Sequence, residues 1–86
     1  MLTVKRYSAK WCIPCQQLAP IFSELQQEMT NVNFQTIDVD ENKNAAVEAN
    51  ISGIPTVVLE KDGQQVYRFS GVLPKSVIAG IIKKYL

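Results

Sequence analysis

The sequence predicts a small α/β domain, with a four-stranded mixed sheet flanked by helices in the order β-α-β-α-β-β-α. Three observations predict it. A short segment of β-formers gives way to a helical apolar period at Cys12-Ile13-Pro14-Cys15. A second strand-like run follows that helix, and a strand–helix–strand order favours parallel pairing through a right-handed crossover. Lys61-Asp62-Gly63 then separates two further runs of β-formers, as in an antiparallel hairpin. With 86 residues, residues 1–86 read as one domain of a size that buries only about 60% of its unfolded surface.

The elements follow in chain order. Leu2 to Tyr7 is the first strand, and Ser8-Ala9-Lys10-Trp11 leads into the helix. Leu18, Phe22, Leu25 and Met29 recur on one helical face with Ile21 beside them. Pro20 lies inside that pattern and is expected to kink the helix, because it deletes a backbone donor and crowds the preceding turn. Thr30-Asn31 ends it. Asn33 to Val39 is the second strand, and Asp40-Glu41-Asn42 offers acidic and capping residues to a short helix through Ala45, Ala46, Val47 and Ala49. Asn50-Ile51-Ser52-Gly53 breaks that helix. Pro55 to Glu60 and Gln65 to Phe69 are the hairpin strands. Pro74 suits the first turn of a last helix whose apolar face is Val77, Ile78, Ile81, Ile82 and Tyr85.

Composition narrows the function. Apolar residues make up 47% and charged residues 20%, ordinary for a globular protein. A net charge of +1, spread along the chain, gives no footprint for nucleic acid or an anionic membrane. Charge interrupts Met1-Leu2-Thr3-Val4-Lys5-Arg6 before signal-peptide length, and the apolar run Ile54 to Leu59 is far short of a membrane span. A soluble, cytoplasmic protein is expected. There is no histidine, which excludes a Ser-His-Asp triad, a Cys-His dyad and histidine-ligated zinc. Two cysteines are too few for a secreted disulfide scaffold.

Their C-x-x-C spacing, between a strand and a helix, reads as a redox motif. At a helix N-terminus, unpaired N–H groups and the helix dipole stabilise a thiolate, which is the attacking form of cysteine. Cys15 would lie nearly one turn on from Cys12, within reach of its sulfur. Pro14 removes a backbone donor that the first turn does not need and stiffens the loop. Cys12 would attack a substrate disulfide, and Cys15 would resolve the mixed disulfide. Three other readings stand beside this one. Motifs from two chains could share a zinc ion, two chains could hold an iron–sulfur cluster, or the cysteines could simply be core residues.

Trp11-Cys12-Ile13-Pro14-Cys15 resembles the Trp-Cys-Gly-Pro-Cys active site of thioredoxins, with isoleucine for glycine. Pro20, Asp40 and Asn42, Gly53-Ile54-Pro55-Thr56, Lys61-Asp62-Gly63 and Gly71 match family features in the same order, over nearly the whole chain. The resemblance implies a minimal thioredoxin-like fold and a cis Ile54–Pro55 bond facing the site. It also implies that the Ile54 backbone pairs with an extended substrate segment, with Pro55 and Gly71 shaping the groove. Trp11 and Ile13, flanking the nucleophile, read as exposed contacts for partner proteins; packing over the helix start is the other reading of Trp11. Relative to the family, the chain starts at what resembles the central strand, so one sheet face and one edge are expected to be less covered, which offers a reason for Lys5. The family's buried aspartate aligns with Arg6, its lysine partner with Thr36, and a tryptophan near the site with Ser8. Arg6 could favour thiolate at the active site, or carry its guanidinium to solvent across the open face.

These residues together predict an enzyme, a thioredoxin-type protein-disulfide reductase that needs no cofactor or metal. Its partners would be protein disulfides and a thioredoxin-reductase-like electron donor or glutathione, and it would act as a monomer, with neither nucleic acid nor membrane as partner. A glutathione-coupled, glutaredoxin-like enzyme and a non-catalytic scaffold bridged by metal or cluster through its C-x-x-C are the alternatives.

Overall fold

Strand β1 (Leu2–Ser8) is an interior strand of a four-stranded sheet ordered β2-β1-β3-β4 in the computed structural model, which describes all 86 residues. Successive side chains of a strand point to opposite faces. Leu2 and Val4 therefore join one core with Leu18, Phe22 and Leu25 of helix α1 (Ile13–Glu28) and Ile78 and Ile82 of helix α3 (Lys75–Tyr85). The buried Arg6 falls on that same face, over Phe22. Lys5 falls on the other, where its Nζ meets Glu60 at 3.0 Å.

The apolar stripe of α1 is buried as its period predicts, and completely so at Leu18 and Leu25. Each such side chain contributes about 1.5–3 kcal/mol of burial energy. Pro20 sits inside the helix, at a solvent-exposed position. The helix closes at Met29, whose N–H donates to the Leu25 carbonyl at 2.8 Å, one residue before the expected Thr30-Asn31 stop.

Strand β2 (Asn33–Asp38) pairs parallel to β1 and places Thr36 opposite Arg6. Val39, expected as its last residue, still donates its N–H to the Ser8 carbonyl at 2.9 Å. Asn42 is the N-cap of helix α2 (Lys43–Glu48), but its side chain makes no capping bond. Asp38 organises the turn instead. Its Oδ1 accepts the N–H groups of Asp40 at 2.8 Å and Glu41 at 3.2 Å, and Asn42 donates back to its carbonyl.

Strands β3 (Thr56–Lys61) and β4 (Gln64–Ser70) form the hairpin, antiparallel to each other, with β3 also antiparallel to β1. The loop is two residues, Asp62 at φ 53° and Gly63 at φ 84°. Two positive φ values in succession are those of a type I′ turn, whose twist matches that of the strands. In α3, Pro74 is the N-cap and Lys75 the first helical residue. That start turns Ile78 and Ile82 to the sheet and leaves Val77 45% exposed, not on the buried face as expected.

Candidate active site

Cys12 caps the N-terminus of α1, with extended backbone. The cap forms because Ile13 and Pro14 begin the helix and need no intrahelical donors there. The N–H of Cys15 donates to Cys12 Sγ at 3.2 Å, so a helix-terminal donor is aimed at the sulfur. Cys12 and Cys15 are joined as a disulfide, with their Cα atoms 5.2 Å apart. Cys15 is the deeper of the two, 1% exposed against 5% for Cys12. Together with Ala9 they form a small apolar cluster under Val39 and Ile54.

The loop before β3 closes over this cluster. Ile54–Pro55 is a cis peptide bond, and the Ile54 carbonyl oxygen lies 4.0 Å from Cys12 Sγ. Pro55 is buried, and its carbonyl accepts the N–H of Gly71 at 2.9 Å. Gly71, at φ 85°, has a left-handed backbone that favours glycine. The structure thus gathers Cys12, Cys15, Ile54, Pro55 and Gly71 at one end of the sheet, although more than 50 residues of chain separate Cys12 from Gly71.

Trp11 and Ile13 flank Cys12 and stand 68% and 62% exposed. Beside Trp11 runs an apolar groove of about 420 Å³, lined by Val39, Ala46, Ile51, Gly53 and Ile54. One contact beside the motif is not foretold by the sequence: the Trp11 indole N–H donates to Asp40 Oδ2 at 2.8 Å. Asp40 had the appearance of a helix-capping residue, and no local pattern connects residues 29 positions apart.

Arg6 differs from both sequence expectations in part. Its guanidinium does not run to solvent: the residue is only 9% exposed, lies 5.5 Å from the Phe22 ring centre and donates to Thr36 Oγ1 at 3.0 Å. Alternation along β1 explains this, since an even-numbered residue must face α1. The cavity that Arg6 lines is shared with Cys15 rather than Cys12.

A dithiol pair at the start of a helix, in a sheet of this topology, defines a thiol–disulfide oxidoreductase. The thioredoxin family model matches residues 2–84. The chain is 37% identical to the thioredoxin of Chlamydia pneumoniae over 98% of its own length and 82% of that protein's. It is 39% identical to the thioredoxin of Bacillus subtilis, covering 91% of this chain and 76% of that one. Among solved structures, Fasciola hepatica thioredoxin superimposes with a TM-score of 0.93 at 36% identity, over 99% of this chain and 81% of that one. The chain belongs to the thioredoxin family, and its activity is dithiol–disulfide exchange through Cys12 and Cys15. The glutaredoxin-like and scaffold alternatives are not favoured.

Proposed function

We propose that residues 1–86 act as one catalytic unit that reduces protein disulfides, with Cys12 as nucleophile and Cys15 as resolving thiol. The observation that carries this assignment is the Cys15 N–H aimed at Cys12 Sγ at the start of α1, where backbone donors favour a thiolate. The greater burial of Cys15 supports the same order, because an incoming disulfide meets Cys12 first.

The cycle transfers two electrons. Cys12 thiolate attacks one substrate sulfur, the substrate S–S bond breaks, and the departing thiolate takes a proton from water. Cys15 then loses its proton and attacks Cys12 Sγ. The mixed disulfide breaks, the second substrate thiol is released, and the enzyme is left as the Cys12–Cys15 disulfide. Two electrons and two protons from an external donor restore the dithiol. A thioredoxin-reductase-like protein is the donor that fits this family, with glutathione as the second choice.

Trp11, Ile13, Pro14, Ile54, Pro55 and Gly71 form the substrate-contacting surface in this reading. The Ile54 backbone, beside Cys12, suits an extended peptide added alongside it, and Trp11 and Ile13 supply apolar area. A monomer in the reducing cytoplasm is the setting in which a reductase works; no helix is long and apolar enough to cross a membrane.

The test is a trapping experiment. Cys15→Ser, mixed with a disulfide-containing protein, should accumulate a mixed disulfide through Cys12, seen by mass under non-reducing conditions. Cys12→Ser should accumulate none, and its dithiol-driven reduction of that protein should fall to the uncatalysed rate. Trapping through Cys15 in the Cys12→Ser variant, with none in Cys15→Ser, would reverse the roles.

A further inference from the structure

Behind the active site, a cavity of about 290 Å³ lies between β1, β2 and the first turns of α1. The ionisable groups that line it are Arg6, Lys10, Cys15 and Asp38, with the hydroxyls of Ser8 and Thr36. Two of the charged groups are committed elsewhere. Lys10 is 85% exposed and its Nζ meets Glu41 at 3.7 Å. Asp38 uses Oδ1 to accept the N–H groups of Asp40 and Glu41.

Arg6 is not committed in this way. It is nine-tenths buried and forms no ion pair, and its only side-chain hydrogen bond goes to the neutral Thr36 hydroxyl. Its Nε is buried without a partner. Buried charges are ordinarily paired, because the desolvation of an unpaired one is costly. A buried cation that makes no ion pair therefore marks a place where an anion is favoured. The group beside it that becomes anionic during the reaction is the thiol of Cys15.

We propose that Arg6 is a positioning residue for the resolving step: its guanidinium holds the Cys15 thiol toward its thiolate form. The inference rests on the reading of Cys15 as resolving thiol. At 1% exposure, Cys15 sits where an apolar environment penalises a thiolate, and a cation across the same cavity offsets that penalty. Arginine stays protonated, so it is not the base. The Cys15 proton passes to water entering the cavity, the thiolate attacks Cys12 Sγ, and the substrate thiolate leaves. Arg6 changes neither its protonation nor its bonding in this step. The same charge also favours the dithiol/thiolate form over the disulfide and makes the protein a weaker reductant than an uncharged residue here would.

The experiment is a pH titration of the reduced protein by NMR of ¹³Cβ-labelled cysteine, which follows Cys12 and Cys15 separately. Opposite charges at short range shift a pKa by about one unit or more. In Arg6→Met and in Arg6→Gln, the Cys15 transition should rise by about one pH unit, with a smaller rise at Cys12. Arg6→Lys should keep most of the wild-type value. The mixed disulfide of Cys12 should resolve about tenfold more slowly at neutral pH in both uncharged variants, in proportion to the lost thiolate. An unmoved Cys15 transition, an equal shift at both cysteines, or loss of the effect in Arg6→Lys as well would overturn the proposal. Failure of Cys15→Ser to trap substrate would instead remove the assignment of Cys15 on which it stands.

Discussion

Burial takes the Arg6 guanidinium out of water, which disfavours its charged form and pushes its pKa below the usual arginine value. The penalty is present wherever arginine is charged in the unfolded chain, that is, at every working pH. Thr36 and the Phe22 face return part of it. Replacing a buried charge by an apolar side chain of similar length is commonly neutral or stabilising. Arg6→Met should therefore leave the urea midpoint unchanged or raise stability by about 1 kcal/mol, while the resolving step slows. A loss of more than about 1 kcal/mol would mean that the Thr36 and Phe22 contacts outweigh desolvation. At this scale the sequence was only partly legible. Cys12 and Cys15 declare themselves by spacing, whereas the destination of Arg6 depends on Thr36, which is 30 residues away. Trp11 and Asp40 meet for the same non-local reason.

Elements whose ends are set by local chemistry are the ones that the sequence foretells well. The α1 stripe and the Asp62-Gly63 hairpin are of this kind. The entry to α2 is not: a capping role for Asn42 fits its residue type, but its side chain turns back to donate to the carbonyl of Asp38, the last residue of β2, and caps nothing. Likewise Val77 fits the apolar pattern of α3, and only the helix start at Lys75 decides that it faces out. Gly63 offers a clean measurement of the turn. A Cβ added there would meet nothing within 4 Å, so the cost of Gly63→Ala is backbone strain alone at φ 84°. A loss of about 1–2 kcal/mol in denaturant unfolding, with unchanged reductase activity, is expected. No loss would mean that the hairpin relaxes to another turn.

Helices α1 and α3 lie on one face of the sheet and are tied at the surface by Lys75, whose Nζ meets Glu24 at 3.3 Å and also contacts Glu28. The hydrogen bond to Glu28, foremost, raises the pKa of Lys75 above its ordinary value, with Glu24 adding to the effect. A raised folded-state pKa contributes stability that is fully present below the unfolded lysine pKa and is lost as pH rises through the folded value. Lys75→Met should thus narrow its stability gap to the wild type as pH passes above roughly 10.4. The gap should also shrink in high salt, since the Lys75 ion pairs lie at the surface with exposed Glu24 and Glu28. Urea melts at neutral and alkaline pH would check this; a gap that widens with pH would contradict it. On this scale the order of elements and the mixed sheet were legible from periodicity and one turn. The cis geometry of Ile54–Pro55 was not, and only the resemblance of Gly53-Ile54-Pro55-Thr56 to its family pointed there.

The reduction potential of the Cys12–Cys15 pair reports both the dithiol chemistry and the direction in which electrons flow. The established value for thioredoxin is about −270 mV, and a tenfold shift of a two-electron couple is about 30 mV. Equilibration in dithiol–disulfide buffers should give one reversible two-electron transition between about −270 and −230 mV, the upper part of that range reflecting the cation behind Cys15. A value above about −200 mV, or no reversible Cys12–Cys15 transition, would contradict the account of this protein as a disulfide reductase.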